Sequence, residues 1–195
     1  MENNKKILTF CALIGVLIFA YYFLPVNFVE GDDNVTVTAT IGTTLTCNAS
    51  AGSSDFGALT VAAITTSNPD ITIDMTCNDP SGCVLSVKDV GDFSTTPCLH
   101  STNTTDIIAS ADATLVAGTE GYGIQATSTT LTINPIYNKI GNDVGGLTIG
   151  GLDVSSSTGP ISAETTIIKH KAAISATTQE ANDYSDVLIY SCLGN

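Results

Sequence analysis

A two-residue alternation of apolar and polar side chains constrains this chain more than any other feature of its sequence. The alternation is clearest in residues 34–41 (NVTVTATI), residues 71–77 (ITIDMTC) and residues 166–174 (TIIKHKAAI). This is the period of an extended strand that buries one of its two faces. No segment after residue 31 carries a helical stripe of useful length, so the sequence predicts an all-β fold.

Turn-forming residues divide the rest of the chain into short segments. The turn signal NDPSG separates residues 71–77 from residues 83–87, and we expect these two segments to form neighbouring strands. The glycine-rich residues 141–151 form either a long loop or two short strands around a bend. Many short strands between turns favour an immunoglobulin-like antiparallel β-sandwich. Further strand candidates are residues 107–109, 113–117, 122–126, 130–133 and 185–193.

The N-terminus indicates export. Lys5 and Lys6 precede an uncharged apolar run at residues 7–24, which we expect to form a hydrophobic helix. The length of this run leaves open two alternatives, a signal peptide cleaved after Gly31 and a retained membrane anchor. In both cases residues 32–195 lie outside the cell, and we expect them to form a single β-sandwich domain with residues 34–46 as its first or donor strand.

The charge balance argues against nucleic-acid binding. The chain has a formal net charge of −13, and its cations after residue 31 are Lys88, Lys139, Lys169 and Lys171. Nucleic-acid binding requires many cations, because they must displace the counterions of the phosphates. We therefore expect no nucleic-acid partner.

The sequence offers no group of residues typical of catalysis. His170 lies between two lysines in a strand segment, which is an ordinary place for a histidine at the surface or the core edge. Cys98 and His100 lie in a polar loop at residues 91–105, and the aspartates fall mostly in turns, where they hydrogen-bond the local backbone. We expect no catalytic, metal or cofactor site, and no enzyme activity.

Cysteines outside the apolar run predict disulfides, because an exported chain reaches an oxidising compartment. Cys47 and Cys77 end two predicted strands, and a bridge between them would close a loop of about thirty residues, worth roughly 3 kcal/mol. Cys83 and Cys98 would then fasten the polar loop to its strand, leaving Cys192 as a free or intermolecular thiol. A bridge from Cys192 to Cys47 or Cys77 is the alternative, because sequence alone does not fix connectivity.

Several short motifs resemble the spore coat protein U domain and the related archaic chaperone-usher pilins. These motifs are spread over much of residues 35–192. They are Cys47 on the first strand, the pair Phe56 and Gly57, the strand ITIDMTC ending in Cys77, the continuation VLSVKDVG, and the terminal YSDVLIYSC, which resembles the closing Tyr-x-Asp strand of the family.

The resemblance implies a disulfide between Cys47 and Cys77 and an immunoglobulin-like subunit that lacks its last strand. In that family the N-terminal strand of a neighbouring subunit fills the gap. Here the segment NVTVTATI would be that strand, pairing through main-chain hydrogen bonds while alternate side chains fill pockets. The candidate donor-strand residues are Val35, Val37, Ala39 and Ile41.

These features predict an exported cell-surface structural protein, a pilus, fibre or coat subunit that self-associates by β-strand addition or binds other surface proteins. The alternative is a monomeric adhesin or ligand-binding module, tethered to the membrane by an uncleaved N-terminal segment and contacting its ligand through residues 91–105. A third hypothesis, a secreted hydrolase, would depend on His100 or His170.

Overall fold

The computed structural model describes residues 37–90 and 96–195. The chain divides into two units, Met1–Thr40 and Ile41–Asn195. Of the first unit only residues 37–40 are described, and they are exposed and belong to no strand. The predicted hydrophobic helix at residues 7–24 and the candidate donor residue Val35 lie outside the described residues.

The second unit is built from β-strands, and the described residues include no α-helix. Among them there is likewise no helix of the length and hydropathy that a membrane crossing needs. The all-β prediction is confirmed for this part of the chain. In chain order the strands are β1 (Leu45–Ala49), β2 (Thr65–Thr66), β3 (Ile71–Cys77), β4 (Cys83–Asp89), β5 (Cys98–His100), β6 (Ile107–Ala109), β7 (Ala113–Thr114), β8 (Gly121–Thr127), β9 (Thr132–Ile133), β10 (Asp143–Val144), β11 (Leu152–Ser156), β12 (Ile161–Ala173) and β13 (Leu188–Gly194).

Two larger antiparallel sheets enclose the core. In the front sheet β1 pairs with β3, β3 pairs with β12, and β8 lies on the other side of β12, while β2 pairs with β12 near its end. In the back sheet the order is β13, β4, β11 and β9. Two small ladders, β5 with β6 and β7 with β10, complete the structure. Strands β1 and β13 are therefore edge strands of the two sheets.

Because side chains alternate along a strand, every second side chain of β3 and β4 is buried in the core. Ile71, Ile73 and Met75 of β3 are buried together with Leu85 and Val87 of β4 in one hydrophobic cluster. Full burial of such a side chain contributes about 1.5–3 kcal/mol to folding. Packing between the buried faces of β3 and β4 thus supplies much of the stability of the unit.

Some predicted elements need correction. Residues 37–44 form no strand, so the first described strand is shorter than the predicted 34–46. The segments now identified as β3 and β4 are not neighbours in one sheet but lie in opposite sheets, because both must turn their buried faces to the same core.

Two strands were missed for a physical reason. Strand β5 lies inside the predicted polar loop, and all its residues are buried, so it shows no alternation. Strand β11 pairs with β4 across a register shift between Asp153 and Ser155, which places the consecutive residues Val154 and Ser155 in the interior. A bulge of this kind removes the two-residue period from the sequence. Residues 141–151 are a loop that contains the short strand β10.

Candidate interaction edge

The inward face of β1 is exposed to solvent. In the ladder with β3, Leu45 lies opposite Cys77, Cys47 opposite Met75, and Ala49 opposite Ile73. Directly opposed residues share a face of the sheet, so these β1 side chains point the same way as buried β3 side chains. Yet every residue of β1 is exposed, and Leu45 is 46% exposed. The core is therefore not covered at this edge.

Strand β13 forms the corresponding edge of the back sheet. Its Tyr190 and Cys192 lie opposite the buried Val87 and Leu85 of β4, and both are half-buried. The outward-facing Ile189 is exposed. An edge strand presents unpaired main-chain groups, and exposed apolar side chains beside those groups favour pairing with a further strand. We call the pair of strands β1 and β13 the β1/β13 edge.

A disulfide crosses the β1/β13 edge. Cys47 of β1 is bonded to Cys192 of β13, and their Cα atoms are 5.8 Å apart. The predicted bridge between Cys47 and Cys77 is thus wrong, because Cys47 lies opposite Met75 and not opposite Cys77. The prediction of Cys192 as a free or intermolecular thiol is also wrong, and the alternative bridge from Cys192 to Cys47 is the one observed.

A second disulfide closes the turn between β3 and β4. It joins Cys77 to Cys83, both nearly inaccessible to solvent. The predicted bridge between Cys83 and Cys98 is therefore wrong. Cys98 lies buried on β5 and takes part in neither disulfide. Two disulfides within one domain indicate an oxidising compartment.

Asn78 fixes the chain that leads into β1. Its side-chain Oδ1 accepts from the Thr44 amide at 2.7 Å, and its Nδ2 donates to the Gly42 carbonyl at 2.7 Å. The Asn78 amide donates to the Thr44 carbonyl at 3.1 Å. Residues 42–44 form no turn, and these three hydrogen bonds fix Gly42 and Thr44 against Asn78. Just before this segment, Ile41 is 86% exposed.

A hydrogen-bonded chain lies behind the β1/β13 edge. Tyr190 of β13 contacts His170 of β12 through its hydroxyl and the ring Nε2 at 3.2 Å, and His170 Nδ1 lies 3.4 Å from the Ser67 hydroxyl. Burial lowers the pKa of His170 to about 4, against a smaller opposing effect of Asp70. His170 is thus a neutral, buried link between the two sheets, and not the surface or core-edge residue that the sequence suggested.

The described part of the predicted polar loop is held by a carboxylate that follows β12. Asp183 accepts from the Ser101 hydroxyl at 2.6 Å, the Thr102 hydroxyl at 2.7 Å and the Asn103 amide at 2.9 Å. These hydrogen bonds lower the pKa of Asp183 to about 2, and the bond from Ser101 contributes most to this shift. The loop is therefore fixed by its own chain. Its residues 91–95 lie outside the described part of the structure.

The two histidines considered as candidate site residues, His100 and His170, make different contacts. His100 is buried on β5 and exchanges main-chain hydrogen bonds with Ser185, whereas His170 belongs to the link from Tyr190 to Ser67. Among the described residues there is no group of histidine, cysteine and carboxylate side chains that could hold a metal ion. Asn78 and Tyr190 were not singled out from the sequence, because each occurs in a segment whose pattern is already explained by a turn or a strand.

Comparison of the chain with known protein families and with curated proteins finds no match.

Proposed function

We propose that this protein is an exported cell-surface structural protein, an immunoglobulin-like subunit that self-associates by β-strand addition. In this proposal the apolar side chains of residues 35–41 of one subunit pair with an open sheet edge of the next. The proposal gives the protein a structural role and no catalytic one.

The observation that carries the proposal is the uncovered inward face of β1. Leu45 points to the same side as the buried Cys77, but it is only half covered and remains 46% exposed. A further strand laid beside β1 would bury this face and satisfy the main-chain groups of the edge. An edge left in this state is a site of association.

A second observation concerns the segment that would pair with this edge. Val37 is 88% exposed and Ile41 is 86% exposed, and threonines separate the apolar residues of this segment. An exposed segment that alternates in this way has the pattern of a strand with one face to bury. Within its described residues the same chain thus contains an open edge and, at residues 37–41, a strand-like segment that is part of no strand.

The two disulfides support the proposed location outside the cell, since disulfides persist in oxidising compartments. The formal net charge of −13 is consistent with a soluble surface away from the apolar segment and the edge. Such a charge also means that self-association must be carried by main-chain pairing and apolar contacts.

Deletion of residues 32–41 tests the proposal. The ectodomain, residues 32–195, and the deletion variant would be compared by light scattering and electron microscopy, each in oxidising and in dithiol-containing buffer. We expect ordered polymers from the ectodomain in at least one buffer and only monomers from the deletion variant. Polymers of equal length from both proteins would refute donation by this segment.

A matched pair of variants tests whether assembly requires the apolar face of the segment or only its threonine face. V35T/V37T/A39T/I41T removes the apolar face of the segment, whereas T36S/T38S/T40S changes the other face and leaves the apolar one intact. We expect the first variant to remain monomeric and the second to assemble like the unchanged protein. Assembly of the first variant would show that the alternation plays no part.

A further inference from the structure

We infer that the Cys47–Cys192 disulfide is a latch on the β1/β13 edge, and that the exposed segment of a second copy of this chain pairs there only after a dithiol has reduced the latch. This inference rests on the proposed function. It specifies which edge accepts the strand and what controls access to that edge.

The distance across the disulfide excludes a strand between β1 and β13. The Cα atoms of Cys47 and Cys192 are 5.8 Å apart. A strand inserted between two others needs two inter-strand spacings, about 9.5 Å in total. The gap at the disulfide is therefore too narrow while the bond is intact, although the inward face of β1 is open to solvent on either side of it.

The two disulfides differ sharply in access to solvent. Cys47 is exposed and Cys192 is half-buried, whereas Cys77 and Cys83 are 2% and 0% exposed. Thiol–disulfide exchange requires in-line approach of a thiolate to a sulfur atom, so access controls its rate. A dithiol therefore reduces the latch before it reaches the disulfide between β3 and β4.

The reduction step is an ordinary exchange. A thiolate of the dithiol attacks Sγ of the exposed Cys47 and expels the thiolate of Cys192, leaving a mixed disulfide on Cys47. The second thiolate of the reductant then displaces Cys47 and forms a disulfide within the reductant. The protein gains two electrons and, after protonation of both sulfurs, two protons.

Other contacts hold both edge strands after reduction. Strand β13 keeps its ladder with β4, from Leu188 to Gly194, and the bond of Tyr190 to His170. Strand β1 keeps its ladder with β3 and the hydrogen bonds of Asn78. Reduction thus frees the two edges from each other and leaves each sheet intact.

The occupant is a second copy because of the chain that precedes β1. To pair with β1 of its own chain, the exposed segment would need a tight turn over Gly42–Thr44. Residues 42–44 form no turn, and Asn78 holds Gly42 and Thr44 by hydrogen bonds. A hairpin that returned the segment to β1 of its own chain would break these hydrogen bonds, so the occupant that we infer is the segment of another copy.

The test uses a fluorescein-labelled peptide of residues 33–41 and the ectodomain in three forms: oxidised, reduced, and reduced then bridged between Cys47 and Cys192 by a bismaleimide that spans more than 10 Å. The bridged form keeps the covalent loop and so remains folded even if the reduced form does not. Peptide mapping verifies the bridge, circular dichroism verifies the fold, and fluorescence anisotropy measures the dissociation constant. A peptide with threonine in place of Val35, Val37, Ala39 and Ile41 is the control.

We expect the bridged form to bind the labelled peptide at least about tenfold more tightly than the oxidised form does, and the control peptide to bind to neither. Equal binding to the oxidised and bridged forms would overturn the latch and leave strand addition standing. Binding to neither form would overturn the latch, and if assembly also survives deletion of residues 32–41 it would overturn the proposed function as well.

Discussion

Strands β3 and β1 lie side by side in perfect register, yet their environments are opposite. In β3 every second residue is buried, and Ile73 and Met75 are each 1% exposed. In β1 the residues opposite them, Ala49 and Cys47, are exposed. Pairing with a buried strand is therefore not enough to bury a strand, because the other sheet must also extend far enough to cover it.

The comparison distinguishes two kinds of stabilising contact. The interior is held by packing between β3, β4 and β12, whereas the edge is held by the Cys47–Cys192 disulfide, the Asn78 hydrogen bonds and little packing.

The largest expected effect is the removal of the edge disulfide. In the chain-entropy model a loop with a sequence separation of 145 gives about 5 kcal/mol, and the separation of 6 between Cys77 and Cys83 gives about 2 kcal/mol. We expect C47A/C192A to lower the free energy of unfolding more than C77A/C83A does, as measured by urea denaturation. The reverse order would mean that burial at Cys77 and Cys83 outweighs loop closure.

Truncation of paired apolar residues compares the two strands directly. Ile73→Ala should cost about 2–5 kcal/mol, because it leaves a cavity in the core. Leu45→Ala, on the neighbouring strand, should cost less than about 1 kcal/mol, because the side chain is only half covered. Urea midpoints of the two variants provide the measurement. Similar costs would show that the inward face of β1 is covered after all.

The buried His170 should make the interior sensitive to acid. Its pKa is lowered from 6.5 to about 4 by burial, so between these pH values the unfolded chain binds a proton that the folded one does not. Stability should then fall as the pH falls through this window, by about 3 kcal/mol in all. His170→Asn should show a flatter dependence of the urea midpoint on pH between 7 and 4.5. An unchanged slope would contradict burial of a neutral imidazole.

The smallest expected effect concerns the chain that enters β1. Asn78→Asp keeps an acceptor for the Thr44 amide but loses the donor to the Gly42 carbonyl, whereas Asn78→Ala loses both. Each lost bond should cost about 0.5–1.5 kcal/mol. Hydrogen exchange at the Thr44 amide should remain slow in the Asp variant and become fast in the Ala variant. Equal protection in both would exclude the side-chain contact.

The sequence predicted the central strands well, because β3 and β12 each bury one face and so display the alternation that burial imposes. Prediction failed for strands whose buried residues do not alternate along the chain. Strand β5 is buried on both faces, and β11 contains a register shift, so neither shows a two-residue period.

The edge was harder to predict than the core. Residues 34–41 and β1 have the composition of a strand, but composition does not tell whether the opposite sheet reaches far enough to cover it. The pairing of Cys47 with Cys192 depends on β1 and β13 being the edges of opposite sheets, which is a property of topology and not of spacing. Asn78 could have been suspected only from its position directly after a strand.

A disulfide map of oxidised residues 32–195 tests most directly that a single disulfide ties the edge strands β1 and β13 together. Cleavage at aspartates under non-reducing conditions separates Cys77 from Cys83 at Asp79, so mass spectrometry distinguishes every pairing. We expect one linked pair of peptides containing Cys47 and Cys192 and another containing Cys77 and Cys83. A linked pair containing Cys47 and Cys77 would contradict the pairing of β1 with β3 described above, the bridge between β1 and β13, and the latch inferred from them.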